Sequence, residues 1–167
     1  MSGGEEKSPE AHRPSVYIET TVVSYLTADL SRDIVTLAHQ KITREWWEER
    51  AEFHLVASAF TVREAGFGDP AMAAKRLNAL REVALLDVSA AALSLARALV
   101  ERIPLPRKAE TDAAHIAVAA VNGVDYLLTW NLKHIANPAI QRRIESVCRT
   151  LGYEPPITCT PEHLLER

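Results

Sequence analysis

Short runs of β-branched and aromatic residues alternate with longer amphipathic stretches along the chain. This alternation is typical of βαβ units, in which crossover helices cover both faces of a parallel sheet. We therefore expect an α/β protein, a three-layer α/β/α sandwich around a central parallel sheet. The length of 167 residues fits a single domain, since domains take roughly 100–200 residues.

Hydrophobic periodicity and turn residues predict the elements of this domain. Strands are expected over residues 16–18, 53–57, 83–88, 126–130 and 156–159. Helices are expected over residues 20–26, 31–52, 70–82, 89–103, 108–121 and 140–151, with a short helix after Ser58. We expect a disordered tail over residues 1–14, the domain over 15–160, and a C-terminal turn or tail over 161–167.

The composition excludes several classes of protein. With a net charge of −3, the chain lacks the strong positive charge typical of nucleic-acid-binding proteins, so any contact with nucleic acid must come from local basic patches. The longest apolar stretch, residues 116–121, is far shorter than the roughly 18 residues of a membrane span. The acidic N-terminus has no apolar core of a secretory signal, and two cysteines form no disulfide framework. These features predict a cytoplasmic protein that does not enter a membrane.

Four polar residues stand where strands end or where the following helices begin. Glu19 follows the first strand, Glu64 lies in the short helix after the second, Asp112 lies in the first turns of an alanine-rich helix, and Asn131 ends the fourth strand. Each has an ordinary explanation as a helix cap, a dipole partner or a solvated side chain. Ligands of open parallel sheets, however, bind at the carboxyl ends of the strands.

Together these four residues predict a metal site. Three carboxylates and an amide oxygen are hard ligands suited to Mg²⁺ or Mn²⁺. Such an ion polarises a phosphodiester and supplies a bound hydroxide. His115, one turn beyond Asp112, is expected to be a satisfied core histidine. Gly66-Phe67-Gly68 lacks the further residues of a nucleotide-binding loop.

The order of these motifs resembles the PIN domain family, especially VapC-type toxins of toxin–antitoxin pairs. The resemblance covers about residues 16–160. It is carried by Glu19-Thr20-Thr21, by Glu64, by Asp112 at the head of its helix, and by Thr129-Trp130-Asn131. Two residues depart from the family pattern: Glu19 and Asn131 both stand where the family has aspartate, so the site has three formal negative charges in place of four.

The resemblance implies a Mg²⁺- or Mn²⁺-dependent endoribonuclease that leaves a 5′-phosphate and a 3′-hydroxyl. Glu19, Glu64 and Asp112 would bind the metal, and Asn131 would be a weaker ligand or orient the water. It further implies an RNA substrate, an antitoxin partner and a homodimer. The alternative is a catalytically weakened PIN-fold module that binds RNA or a protein without cleavage, which Asn131 favours. A different α/β hydrolase of phosphate esters is a third possibility, for which the sequence offers no nucleophile.

Overall fold

The computed structural model describes residues 12–104 and 109–166. Within these residues one all-parallel sheet has the strand order β3-β2-β1-β4-β5. The strands are β1 (Ser15–Ile18), β2 (His54–Ser58), β3 (Ala84–Leu86), β4 (Tyr126–Leu128) and β5 (Ile157–Cys159). The helices are α1 (Thr20–Thr27), α2 (Ile34–Glu48), α3 (Ala59–Ala65), α4 (Pro70–Ala79), α5 (Ala90–Arg102), α6 (Glu110–Val121), α7 (Pro138–Thr150) and α8 (Pro161–Leu165). The expected α/β class and parallel sheet are confirmed.

The predicted helix over residues 31–52 is divided in the structure. The Asp33 side chain accepts a hydrogen bond from the Thr36 backbone N–H at 2.8 Å, and this N-cap starts α2 at Ile34. The helix ends at Glu48, and a separate 3₁₀ turn covers Arg50–Glu52. The prediction was therefore too long at both ends, because the caps were not recognised.

The predicted fourth strand, residues 126–130, is also shorter than expected. The Thr129 backbone N–H still bonds the Cys159 carbonyl oxygen at 3.0 Å. The next N–H, that of Trp130, instead donates to the Thr21 hydroxyl oxygen at 2.9 Å. The Thr21 side chain thus takes the place of a backbone carbonyl of β5 as the acceptor. The chain therefore stops pairing in the sheet just before the candidate residue Asn131.

Helices cover both faces of the sheet. Val16 and Ile18 pack on one side with Trp46 of α2, whereas Tyr17 faces the other side with α5, α6 and α7, as the two-residue period of a strand requires. Helix α6 is buried from Ala113 through Ala120, which explains its run of small apolar residues.

The strand order reverses at the centre of the sheet. β1 pairs with β2 on one side and with β4 on the other, so the chain leaves β1 toward one half of the sheet and β4 toward the other; ligands of such sheets bind in the crevice at the carboxyl edge of this switch point. The topology therefore places a ligand site after β1 and β4.

The two ends of the chain are described in part. Residues 1–11 of the predicted tail lie outside the described residues, whereas the Pro14 carbonyl accepts a hydrogen bond from the His54 N–H at 3.0 Å. The predicted C-terminal turn contains α8, whose Leu164 is buried in the core. Among the residues that the structure describes, no helix has the length and apolar character needed to cross a membrane.

Candidate metal centre

Glu19 lies directly after β1 and is only 3% exposed. Its Oε2 atom accepts hydrogen bonds from the Thr21 N–H at 3.1 Å, from the Thr21 hydroxyl, and from the Thr129 hydroxyl at 2.8 Å. A buried carboxylate is costly unless it is hydrogen-bonded, and here the donors come from both sides of the crevice. Glu19 is therefore held in place as the N-cap of α1 and by the loop after β4.

The two loops are tied to each other by the same threonines. The Thr21 hydroxyl oxygen accepts from the Trp130 N–H at 2.9 Å, and the Thr129 hydroxyl oxygen accepts from the Asn131 N–H at 2.9 Å. Each of the two hydroxyl groups thus accepts a hydrogen bond from a backbone N–H and donates one to the Glu19 carboxylate. These bonds fix the backbone at Asn131 relative to β1.

Glu64, in α3, is half-buried and bonded to two other elements. Its Oε1 atom accepts from the Thr20 hydroxyl at 3.0 Å and contacts Nε2 of His115 at 2.5 Å. Burial raises the pKa of Glu64, but the hydrogen bond and charge of His115 and the hydrogen bond from Thr20 outweigh it, so the pKa is lowered. Glu64 is therefore a carboxylate at neutral pH.

His115 of α6 is fully buried and connects Glu64 to the core. Its Nδ1 atom lies 2.7 Å from the Tyr17 hydroxyl, which in turn lies 2.6 Å from the Ser58 hydroxyl and accepts from Thr61 at 3.3 Å. Burial raises the pKa of Tyr17 to about 12. Both ring nitrogens of His115 and the hydroxyls of Tyr17, Ser58 and Thr61 therefore have hydrogen-bond partners within this network.

Asp112, in the first turn of α6, faces Asn131. The Asn131 Nδ2 donates to both Asp112 carboxylate oxygens, at 3.3 and 3.2 Å, while its Oδ1 accepts from the His134 N–H at 3.2 Å. The pKa of Asp112 is raised to about 6, first by burial and then by the charge of Glu19; His115 and His134 oppose this, and Glu64 adds the smallest effect. The acid at this position thus resists ionisation in the absence of a compensating charge.

At the carboxyl edge the structure groups Glu19 and Glu64 with His115, and it pairs Asp112 with Asn131. Ligand atoms of Glu19, Glu64 and His115 all lie within 4.8 Å of one another. The charges of Glu19 and Glu64 raise the pKa of Asp112, and the Asn131 amide donates hydrogen bonds to Asp112. His115 is the satisfied core histidine that was expected, yet it also belongs to this cluster. Its position three residues after Asp112, on the same helix face, is the sequence signal that points to this.

The donor set fits a divalent cation. Carboxylate oxygens are the ligands that Mg²⁺ and Mn²⁺ prefer, and those of Glu19, the N-cap of α1, and Glu64 of α3 lie within 4.8 Å of each other. Asp112 of α6 is close enough for the charges of both to raise its pKa. A cation would offset the burial and the charge of Glu19 that keep the pKa of Asp112 high. The amide oxygen of Asn131, in contrast, already accepts a backbone hydrogen bond.

Comparison with known proteins gives a match in structure alone. No family model and no curated protein matches the chain. The fold is similar to that of a chain in the crystal structure of VapBC2 from Rickettsia felis bound to a DNA fragment from their promoter, with a TM-score of 0.57 and 13% sequence identity. The match covers 87% of this chain and 98% of that chain. At this identity the likeness shows a shared fold, and the fold of this chain is the PIN-like α/β/α sandwich that its motifs predict.

Proposed function

We propose that this chain is a metal-dependent endoribonuclease of the PIN type and the toxin of a toxin–antitoxin pair. The observation that carries the proposal is the cluster of Glu19, Glu64 and His115 within 4.8 Å at the switch point of a parallel sheet, with Asp112 close enough for the charges of both glutamates to raise its pKa. Ligands of such sheets bind at this place. The structural likeness to a chain of the VapBC2 complex supports the same proposal.

Glu19, Glu64 and Asp112 would hold the cation. A bound Mg²⁺ or Mn²⁺ polarises the phosphodiester and lowers the pKa of its bound water. The protein contributes the positions of the three acids: the hydrogen bonds to Glu19 converge on Oε2 and those to Glu64 on Oε1. Preorganised ligands of this kind need no rearrangement before they act.

Asn131 acts in this proposal as a positioning residue. Its Nδ2 donates to both oxygens of Asp112, and its backbone is fixed by Thr129. The amide therefore holds the Asp112 carboxylate toward the crevice without adding a negative charge. This role replaces the fourth acid of the family pattern with a hydrogen-bond donor.

The test is cleavage of a mixed pool of RNAs by the purified protein in Mn²⁺, in Mg²⁺ and in EDTA. We expect cleavage with either metal, loss of cleavage in EDTA, and products with a 5′-phosphate. Asp112→Asn should abolish cleavage because it removes a ligand charge at constant size. Asp87→Asn, the same change at an exposed residue after β3, should leave it intact. Cleavage that persists in EDTA or in Asp112→Asn would contradict the proposal.

A second candidate is a PIN-fold module that binds RNA or a protein without cutting. Asn131 favours it, because a site with three formal negative charges holds a divalent ion less tightly than one with four. RNA binding without metal-dependent cleavage would identify this function. The main proposal also includes an antitoxin partner, a homodimer and a cytoplasmic location. A short overlapping reading frame upstream of the gene would support the antitoxin partner.

A further inference from the structure

A pocket of about 360 Å³ lies beside the acid cluster and shares Glu64 with it. Its volume is in the range of about 300–1,000 Å³ that is usual for small-ligand sites. The walls come from α3 with the turn that follows it, and from the first turn of α6. They include two aromatic rings, one cation, one further acid and one hydroxyl, supplied by Phe60, Phe67, Arg63, Glu110 and Thr111. A larger cavity of about 850 Å³, beside Arg13, Arg50 and Arg81, shares no residue with the acids.

Phe67 is an exposed aromatic residue on a firmly held backbone. Its side chain is 59% exposed and lies outside both hydrophobic cores. Its N–H donates to the Glu64 carbonyl at 3.1 Å, and its carbonyl accepts from Arg76 at 2.5 Å. Gly68 follows with a φ of 87°, which a residue with a side chain adopts only under strain. The fold thus fixes the backbone that carries this solvent-exposed ring, next to Glu64.

The polar groups of the pocket fit a nucleobase better than a phosphate. Glu110 is exposed and Thr111 is half-buried, and a carboxylate repels the RNA backbone while accepting hydrogen bonds from N–H groups. The Arg63 guanidinium lies over the Phe67 ring, 6.0 Å from its centroid, so the pocket also contains a positive charge of the kind that pairs with a phosphate. Unpaired RNA bases are commonly recognised by stacking on an aromatic ring together with hydrogen bonds to the base edge.

We infer that this pocket binds one unpaired base of single-stranded RNA, with guanine preferred, beside the phosphodiester at the acid cluster. The inference rests on the proposed function, because RNA is the substrate that the acids would act on. Phe67 stacks on the base and Glu110 accepts hydrogen bonds from its edge. Guanine presents two adjacent N–H donors on its Watson–Crick edge, which match the two oxygens of one carboxylate; the other bases do not.

The test measures binding separately from cleavage. The probes are fluorescent oligouridylates in which one central uridine is replaced by guanosine, adenosine or cytidine, and anisotropy is recorded in EDTA. We expect the guanosine probe to bind tightest. Phe67→Ala should weaken its binding by about 5- to 150-fold, the usual effect of losing a stacking ring. Glu110→Gln should remove the preference for guanosine and leave the stacking contribution in place.

Matched controls exclude general effects of truncation or charge. Leu93→Ala removes another exposed apolar side chain (48% exposed), and Glu48→Gln neutralises an exposed acid at the end of α2. Both should bind as the unaltered protein does. Equal binding of all four probes, or unchanged binding by Phe67→Ala, would overturn the inference even if the protein cleaves RNA. Guanosine-selective binding without cleavage in Mn²⁺ would instead retain the pocket and refute the ribonuclease.

Discussion

Replacing Asp112 with asparagine should stabilise the metal-free protein at neutral pH, although it removes a residue proposed to bind the metal. Burial and the charges of Glu19 and Glu64 raise the pKa of Asp112 from 3.8 to about 6. The folded protein therefore binds this proton more tightly than the unfolded chain does. Stability of the unaltered protein is consequently lost as the pH rises from 3.8 through 6, and Asp112→Asn escapes this loss.

The size of the effect follows from the same shift. A pKa raised from 3.8 to about 6 corresponds to at most about 3 kcal/mol of unfolding free energy. Because Asp112 is only half-buried, solvent screening reduces this to about 1–2 kcal/mol. The asparagine keeps an oxygen that accepts from Asn131, so the loss of hydrogen bonding is small. In a domain of this size each kcal/mol raises the melting temperature by about 2–4 °C.

Urea denaturation in EDTA at several pH values measures the difference. Asp112→Asn should exceed the unaltered protein by about 1–2 kcal/mol above pH 6 and should have no advantage below the ordinary aspartate pKa of 3.8. Added Mn²⁺ should reverse the order, since a ligand stabilises the state that binds it. Asp87→Asn should change stability by less than about 0.5 kcal/mol at any pH. An advantage of Asp112→Asn that is absent, or that is the same at pH 4 and pH 7.5, would refute the electrostatic argument.

Three further changes test other parts of the site. Asn131→Asp places a carboxylate oxygen where the amide N–H now contacts Asp112. Calorimetry should therefore find tighter Mn²⁺ binding, and denaturation in EDTA should find an unfolding free energy lower by about 1–2 kcal/mol. Equal Mn²⁺ affinities would place residue 131 outside the metal site. Tyr17→Phe leaves His115 without its Nδ1 partner and should cost about 1–3 kcal/mol in urea unfolding, and a smaller loss would mean that the buried network is dispensable. Gly68→Ala forces a positive φ on alanine and should cost about 1 kcal/mol; oligonucleotide binding that survives it unchanged would show that the Phe67 turn tolerates displacement.

Local patterns in the sequence predict where the acidic residues lie, because those positions depend on where strands end and helices begin. Glu19 lies just after a strand that periodicity identifies, Glu64 lies in the short helix that follows the next strand, and the alanine-rich run after Asp112 correctly indicates a buried helix. The start of that helix was expected near residue 108, which lies outside the described residues; the described helix begins at Glu110. Errors in the strand and helix bounds therefore did not move the candidate residues.

Contacts between distant segments could not be predicted in this way. The partners of His115 are Glu64, 51 residues away, and Tyr17, 98 residues away, and no local rule selects them. Likewise, the sequence gives Gly66-Phe67-Gly68 no ligand, because the segment lacks the residues of a nucleotide-binding loop. Its place beside Glu110 depends on the packing of α3 on α6, which only the folded chain defines.

The hydrogen bond from Thr129 to Glu19 joins residues 110 positions apart, and this has a consequence for synthesis of the chain. β1 is synthesised first but lies at the centre of the sheet, between β2 and β4. It can pair on its second side only after β4 has been synthesised. A nascent chain that has not yet reached Asn131 holds Glu19 and Asp112 without the loop that fixes them. The proposed cleaving activity therefore requires that most of the polypeptide, through Asn131, has been made.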